Sequence, residues 1–361
     1  MNHLKGVARC LFLLLRITGN NSFTNICKKK KPAVLLKRGK VSSQATVEAQ
    51  IESKFREKFP ETVNFKCTRG QSIEIDDGRR LFYKVGTGGS RADLALLQYE
   101  AEGLKRLANA AGGSLVVPVP WLVDECSMST GANSGFIVMD EMSMGGPRSP
   151  ESQRLLGQGM ARIHSAPIPS GWNPKRFGFP VNGCCGSLAQ PNDPPSRESI
   201  EYTGEYTDPA PNWAEFWAKE RLGFQLSQCR SEALVQKMGS ELMGKLDELF
   251  DPKVVGVITP SLLHGDLWSG NHAVCSTGVP CIYDPAAYYG HSEADFGIAR
   301  MFGGLSSEFY DAYYQVIPRQ AGSEERALLY ELHHHLNHMN MFGGMYKGGA
   351  VELMSRLLRT L

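Results

Sequence analysis

The chain has 361 residues, 42% of them hydrophobic, with 39 basic and 37 acidic side chains and a formal net charge of +2. That is enough apolar material for about two domains or two lobes, and no run approaches the roughly 20 apolar residues that span a bilayer. The charge is unevenly spread: residues 1–47 hold ten basic and no acidic residues, leaving 29 basic and 37 acidic side chains and a charge of −8 on the rest. An acidic body argues against a general nucleic-acid binder.

The basic, acid-free leader has the composition of an organellar transit peptide. A cytosolic basic tail is the alternative. The apolar run Leu11–Leu15 is brief for a secretory signal, and Arg16 ends it. Of nine cysteines, two fall in the leader and no CxxC pair occurs, which disfavours zinc ribbons and fits a reducing compartment.

In chain order, Ala45–Phe59 reads as a polar helix. Ser72–Ile75 and Arg80–Val85 alternate around the turn signal Asp76-Asp77-Gly78 and predict a hairpin. Residues 87–91 form a Gly/Ser loop. Leu94–Ala110 is an amphipathic helix with Leu97, Ala101, Leu104, Leu107 and Ala108 on one side, stopped by Gly112-Gly113. Trp121–Asp124 and Gly135–Met139 are two further strands. After a Gly/Ser/Pro connector at 143–150 come a helix over Glu151–His164, a polar proline-rich excursion over Gln190–Asn212 and a helix over Trp213–Leu226. Short strands and loops fill Leu262–Pro285, and the remainder is helical. The prediction is an α+β, protein-kinase-like two-lobed fold: a leader at 1–47, a small β-rich N-lobe at 48–142 and a larger helical C-lobe at 143–361, with the ligand cleft between the lobes.

The densest chemical signal is His264-Gly265-Asp266-Leu267-Trp268-Ser269-Gly270-Asn271, with Asp284-Pro285-Ala286 downstream. Phosphoryl transfer needs a carboxylate that orients the acceptor hydroxyl. It also needs an amide oxygen and a second carboxylate that hold magnesium against the phosphates. Asp266 and Asn271 have the spacing of the kinase catalytic loop H-R-D-x-x-x-x-N, with Gly265 in place of the arginine. Asp284 follows the apolar pair Ile282-Tyr283, as a metal-binding aspartate does at a strand end. HGD alone is weak; HGD-x4-N with a downstream DPA is specific.

Residues 262–297, LLHGDLWSGNHAVCSTGVPCIYDPAAYYGHSEADFG, resemble the fructosamine kinases (ketosamine-3-kinases), within the aminoglycoside-phosphotransferase and protein-kinase-like superfamily. So do FGFPVNGCCGSLAQPN at 177–192, NWAEFWAKERLGFQL at 212–226 and LNHMNMFGGMY at 336–346. The Trp-Ser pair inside the loop is characteristic of this branch, and the plant-type, plastid members look most similar. The resemblance spans about residues 60–361. It implies an ATP- and Mg²⁺-dependent enzyme that phosphorylates the 3-hydroxyl of ketosamines, on small amines or on glycated protein lysines. The 3-phosphate eliminates and frees the amine, a repair activity. It implies no nucleic acid or membrane partner, and a plastid location, with mitochondrion or cytoplasm as alternatives.

Carried over by motif, Asp266 is catalytic and Asn271 and Asp284 hold magnesium. Lys84 contacts the phosphates, with Glu102 rather than Glu100 as its partner. The backbone of Met139-Asp140-Glu141-Met142 receives adenine. Trp268 and His291 are candidates to meet substrate; packing and loop ordering are their plainer roles. Asp295 supports the catalytic loop, and His164 is a core residue. His333, His334, His335 and His338 look like a metal cluster, but the family has a structural helix there.

The departure is the nucleotide loop, Asn64-Phe65-Lys66-Cys67-Thr68-Arg69-Gly70, which keeps the family's cysteine seventeen residues before Lys84 and lacks the glycines before it. Lys66 and Arg69 flank Cys67 and would favour its thiolate, making Cys67 a candidate redox switch and a candidate route to a homodimer. Two other readings compete: a kinase of another small hydroxyl compound, aminoglycoside- or choline-like, and a pseudokinase or redox-sensing scaffold.

Overall fold

The computed structural model describes residues 41–68, 70–76, 78–86, 91–128, 131–170, 172–192 and 211–361, without the side chains of 41–46 and 91–92. Most of the leader, the loop at 87–90 and most of the polar excursion therefore lie outside the described residues. No helix among those described is long and apolar enough to cross a membrane.

The chain divides into two compact units. The first comprises the described residues up to Ala101, together with Val119–Glu141. It opens with α1 (Val41–Lys58), whose Val47, Ile51 and Phe55 recur at intervals of four and are buried. This places one stripe against a sheet. The sheet holds β1 (Phe65–Thr68), β2 (Ser72–Ile75), β3 (Arg80–Val85), β4 (Pro120–Ser127) and β5 (Asn133–Asp140), all antiparallel, in the order β1-β2-β3-β5-β4. Ile73, Leu81, Tyr83, Phe136 and Val138 face the α1 stripe and make the core of this unit. β1 was expected to be loop; only four residues long and without a clean alternation of burial, it is held by pairing Phe65–Thr68 with Ser72–Ile75.

Helix α2 (Arg91–Ala111) contributes residues to both units. Its Leu97, Ala101, Leu104, Leu107 and Ala111 are buried along one face.

The second unit comprises Glu102–Pro118 and Met142–Leu361. Helix α3 (Pro150–His164) starts with Pro150 at its first position and a capping box between Ser149 and Ser152, which satisfies two of the orphan N–H groups of its first turn. The helix predicted over Trp213–Leu226 is present but changes winding, with a π-helical stretch at Trp217–Gly223. The wider turn carries Arg221, fully buried, whose guanidinium donates to Pro191 O and Asn192 Oδ1 and lies 4.0 Å from the Tyr288 ring. Arg326 is also fully buried and forms a bidentate pair with Glu293 at 2.8 Å.

The long helix Ser323–Phe342 buries His333 and His334, so these two point into the core. No group of three or more His, Cys, Asp or Glu able to hold a metal occurs among the described residues. Burial, then the nearby charge of Arg221, pushes His333 down to about 3. A histidine neutral in the folded state and titrating near 6.5 when unfolded contributes stability that is complete above pH 6.5 and is lost as pH falls toward 3. Each such histidine costs roughly 1.4 kcal/mol per pH unit within that window. His333→Phe should therefore flatten the fall of melting temperature between pH 6.5 and 4. Parallel Tm–pH profiles for wild type and variant would remove His333 from that role.

Candidate active site

Two short antiparallel pairs hold the HGD segment: β8 (Ser261–Leu263) with β11 (Tyr288–Gly290), and β9 (His272–Val274) with β10 (Pro280–Ile282). They follow the hairpin β6 (Gly183–Cys185) and β7 (Leu188–Gln190) in the chain. Residues 264–271 link β8 to β9, and Asp284 stands just past β10. Strand pairing thus brings Asp266, Asn271 and Asp284 onto one small frame. Tyr283 N donates to Asn271 O at 3.1 Å and His264 Nε2 donates to Tyr283 O at 3.0 Å, locking loop to strand.

Asn271 Nδ2 donates to Asp266 Oδ2 at 2.8 Å and to Asp266 O at 2.9 Å. This fixes the aspartate's rotamer and turns the asparagine's other end, Oδ1, away. That Oδ1 is buried and has no hydrogen-bond partner. An orphaned buried acceptor is costly unless a ligand answers it. Asp284 takes a left-handed φ of 54°, an uncommon conformation for a residue with a Cβ and one that clusters at functional sites. A hard cation wants such oxygen donors, an amide oxygen and a carboxylate, and the pair fits one.

Burial drives the Asp266 carboxyl up to about 7; the Asn271 bond opposes this, and the charges of Asp284 and Asp295 add to it. Asp295 is the hub of the loop. Its buried carboxylate accepts from His264 N at 2.8 Å and Gly265 N at 2.6 Å and pairs with His164 Nε2 at 3.1 Å. His164 in turn meets Tyr313 Oη through Nδ1 at 2.8 Å. Burial raises the Asp295 pKa, but its bonds and charge interactions with His164 and His264 outweigh this and hold it below its ordinary value. Asp295 thus supports the loop and His164 is buried in the core, as expected of each. Gly265 has a φ of 80°, and a Cβ there would lie 2.0 Å from Ala286 O, so the tight approach of the two segments requires glycine. Arg148, unremarked in the sequence, donates to Ser269 O and His272 O from the connector.

In the first unit, Lys84 Nζ is 2.7 Å from Glu100 Oε1. This corrects the pairing with Glu102. Two residues along a helix turn the side chain about 200°, and Glu102 instead pairs with Arg106 at 2.6 Å, which also donates to Tyr289 Oη. In the segment expected to receive adenine, the N–H groups of Asp140 and Glu141 already donate to Val119 O and Arg80 O. The Asp140 carboxylate accepts from Val119 N and Trp121 Nε1, and Glu141 is bound by Ser72 and Arg80. Met139 is paired within β5. The Met142 N–H has no hydrogen-bond partner among the described residues.

Two further candidates lie in packed surroundings. His291 is buried, with Nδ1 2.7 Å from Tyr330 Oη and its ring edge-on to Trp213; this packing matches the plainer, ordering role of the two expected of it. Burial and then Arg326 push it down to about 3. Cys67 lies in β1, packed against the sheet core. Burial, then the charges of Glu48 and Glu52 on α1, raise its thiol to about 11. That direction is opposite to the one expected from the flanking cations and lowers the thiolate fraction on which oxidation depends; Arg69, one of those cations, lies outside the described residues. Trp268 is half-buried and packs on Phe302, ring centroids 5.5 Å apart. A cavity of about 840 Å³ in the second unit is lined by Arg106, Arg162 and Tyr289 but by none of Asp266, Asn271 and Asp284. It is not the phosphoryl-transfer site.

An antiparallel sheet in one unit, a helical second unit and an Asp–Asn loop beside a strand-end Asp define a protein-kinase-like phosphotransferase. The sequence model of the fructosamine kinase family matches residues 40–360. The chain is 37% identical over 298 residues to a chloroplastic protein-ribulosamine 3-kinase of Oryza sativa subsp. japonica, covering 82% of this chain and 77% of that one. It is 35% identical over 313 residues to a ketosamine-3-kinase of Mus musculus, covering 80% and 91%. A solved structure of a candidate fructosamine-3-kinase from Thermobifida fusca superposes with a TM-score of 0.62 at 25% identity, over 85% of this chain and 98% of that one. The chain belongs to the fructosamine kinase family. It is a kinase that uses ATP to phosphorylate a hydroxyl group of a ketosamine.

Proposed function

We propose that the protein phosphorylates the 3-hydroxyl of ribulosamine and fructosamine adducts on protein lysines and free amines, with Mg²⁺–ATP, in a plastid. The observation that carries this is the Asp266–Asn271 pair, which leaves one carboxylate oxygen, Asp266 Oδ1, outside the Asn271 bond and one buried amide oxygen without a partner. Asp266 orients the acceptor hydroxyl and takes its proton as the phosphoryl group arrives. Asn271 and Asp284 would hold magnesium, which would supply the positive charge that phosphoryl transfer needs. Lys84, steadied by Glu100, binds the α/β-phosphates, and the Met142 N–H serves the base. Trp268 offers an aromatic face to the sugar-derived acceptor. The acid-free leader supports plastid targeting, as does the chloroplastic naming of the rice relative.

The test is ATP consumption by the purified chain with ribulose-lysine, fructose-lysine and an aminoglycoside as acceptors. Turnover with the two ketosamines and not the aminoglycoside is the expected result; the reverse would sink this reading. Asp284→Ala should raise the magnesium concentration needed for half-maximal rate by about tenfold or more, and an unchanged magnesium titration would remove Asp284 as a ligand. Glu100→Gln should raise the KM for ATP about tenfold while Glu102→Gln leaves it within about twofold, since Glu100 pairs with Lys84 and Glu102 with Arg106. Equal effects from the two would restore the discarded pairing.

A further inference from the structure

The connector between Met142 and α3 is fastened to the end of β9. Ser276 N donates to Ser143 O at 2.8 Å, and Met144 pairs with Cys275 in an antiparallel bridge. The N–H groups of Gly145 and Gly146 donate to Val274 O at 3.1 and 3.0 Å. A Cβ on Gly146 would lie 2.2 Å from Cys275 O, so this approach requires glycine. Past these bonds stands Arg148. One guanidinium nitrogen, Nη2, donates to Ser269 O at 2.8 Å and to His272 O at 3.2 Å, the carbonyls that bracket Gly270-Asn271. The side chain is exposed and has no carboxylate partner among the described residues. The same segment is held again by Ser269 N, which donates to Gly303 O at 3.1 Å. Gln153, in the first turns of α3, binds Gly304 O and Ser306 N in the turn that follows.

Exposed carbonyls can be satisfied by water, and ordering a long side chain to hold them costs rotamer entropy. Arg148 therefore adds little to stability; what it adds is position. Asn271 is tied to Asp266 through Nδ2 and offers a buried Oδ1 with no hydrogen-bond partner. A magnesium ion demands near-ideal geometry at about 2.0–2.1 Å, so a small shift of the backbone over 269–272 would carry that oxygen out of reach. We propose that Arg148 is a positioning residue for phosphoryl transfer: by stapling Ser269 to His272, it sets the backbone from which Asn271 presents Oδ1 to the metal. Arg148 acts through Asn271 and is not itself a ligand. This rests on the reading above in which Asn271 and Asp284 would hold magnesium.

The experiment uses the full-length protein with a non-hydrolysable ATP analogue. The probe is Mn²⁺, which suits the same oxygen ligands as Mg²⁺, and water proton relaxation reports its binding. Arg148→Met keeps the apolar stem and removes the donors. It should raise the half-saturating Mn²⁺ concentration about tenfold, the lower end of the loss when a partner behind a metal ligand is removed. The KM for ribulose-lysine should stay within about twofold and Tm within about 2 °C, as for an exposed side chain. Arg148→Lys, which brings one ammonium without the fork, should fall between. An unchanged Mn²⁺ titration in Arg148→Met overturns the proposal. Tighter Mn²⁺ binding also overturns it, because Arg148 would then be only a like charge near the ion. An equal rise in the KM for ribulose-lysine overturns it as well, as a general loosening of the loop. Failure of the metal reading itself shows differently, as Asn271→Ala with the wild-type Mn²⁺ titration.

Discussion

Asp266→Asn should lower kcat by about 10²–10⁴-fold, the range removed when a positioned general base is lost, while ATP binding is retained. The substitution is nearly isosteric. The Asn271 Nδ2 donor that now meets Asp266 Oδ2 can meet an amide oxygen instead, so the loop keeps its geometry and only proton acceptance is removed. Folding should not suffer. With its pKa raised to about 7 by burial, Asp266 stabilises the fold fully below the unfolded value near 4, and that contribution is lost as pH rises through 7. At pH 8 a neutral amide should therefore leave Tm unchanged or raise it. Single-turnover measurements separate chemistry from binding. Near-normal turnover in the variant would take Asp266 out of the role.

Asp295→Ala should be the most damaging change to the frame. It strips the acceptor from two backbone N–H groups, His264 N and Gly265 N, and the partner from His164; His264 and His164 are buried and Gly265 partly so. Each orphan costs about 1–3 kcal/mol, and broken buried pairs as a whole cost about 3–5 kcal/mol. A stability loss of that order in urea unfolding, together with loss of turnover, is the expected outcome. Asp295→Asn, which keeps one acceptor oxygen, should fall between. An alanine variant within about 1 kcal/mol of wild type would show that the loop is ordered by other means.

The catalytic frame was legible because its chemistry lies in one stretch: Asp266, Asn271 and Asp284 sit within nineteen residues, and their types at that spacing have few other uses. The hairpin of β2 and β3 was legible from alternation around a turn. What escaped was set by distant segments. Glu100 and Glu102 are neighbours in sequence, and only the helix phase relative to Lys84 separates them. The acidity of Cys67 was read from its flanking cations, but burial against the sheet, and then the charges of Glu48 and Glu52 far back on α1, move it the other way. His291 looked like a substrate contact because its neighbours in sequence are polar or small; its real neighbours are Trp213 and Tyr330. β1 carries too little alternation in four residues to be told from loop, and its existence depends on its partner.

Gly265 has a consequence for regulation. Protein kinases carry an arginine at this place in the loop, and activation loops are ordered when phosphorylation gives an arginine a phosphate to pair with. Here a Cβ would collide with Ala286 O, so no guanidinium can stand at that position. The loop is instead held by Asp295, a carboxylate that is part of the fold. A phosphate-reading arginine therefore has no place at this position, and the loop's order comes from a residue that needs no modification.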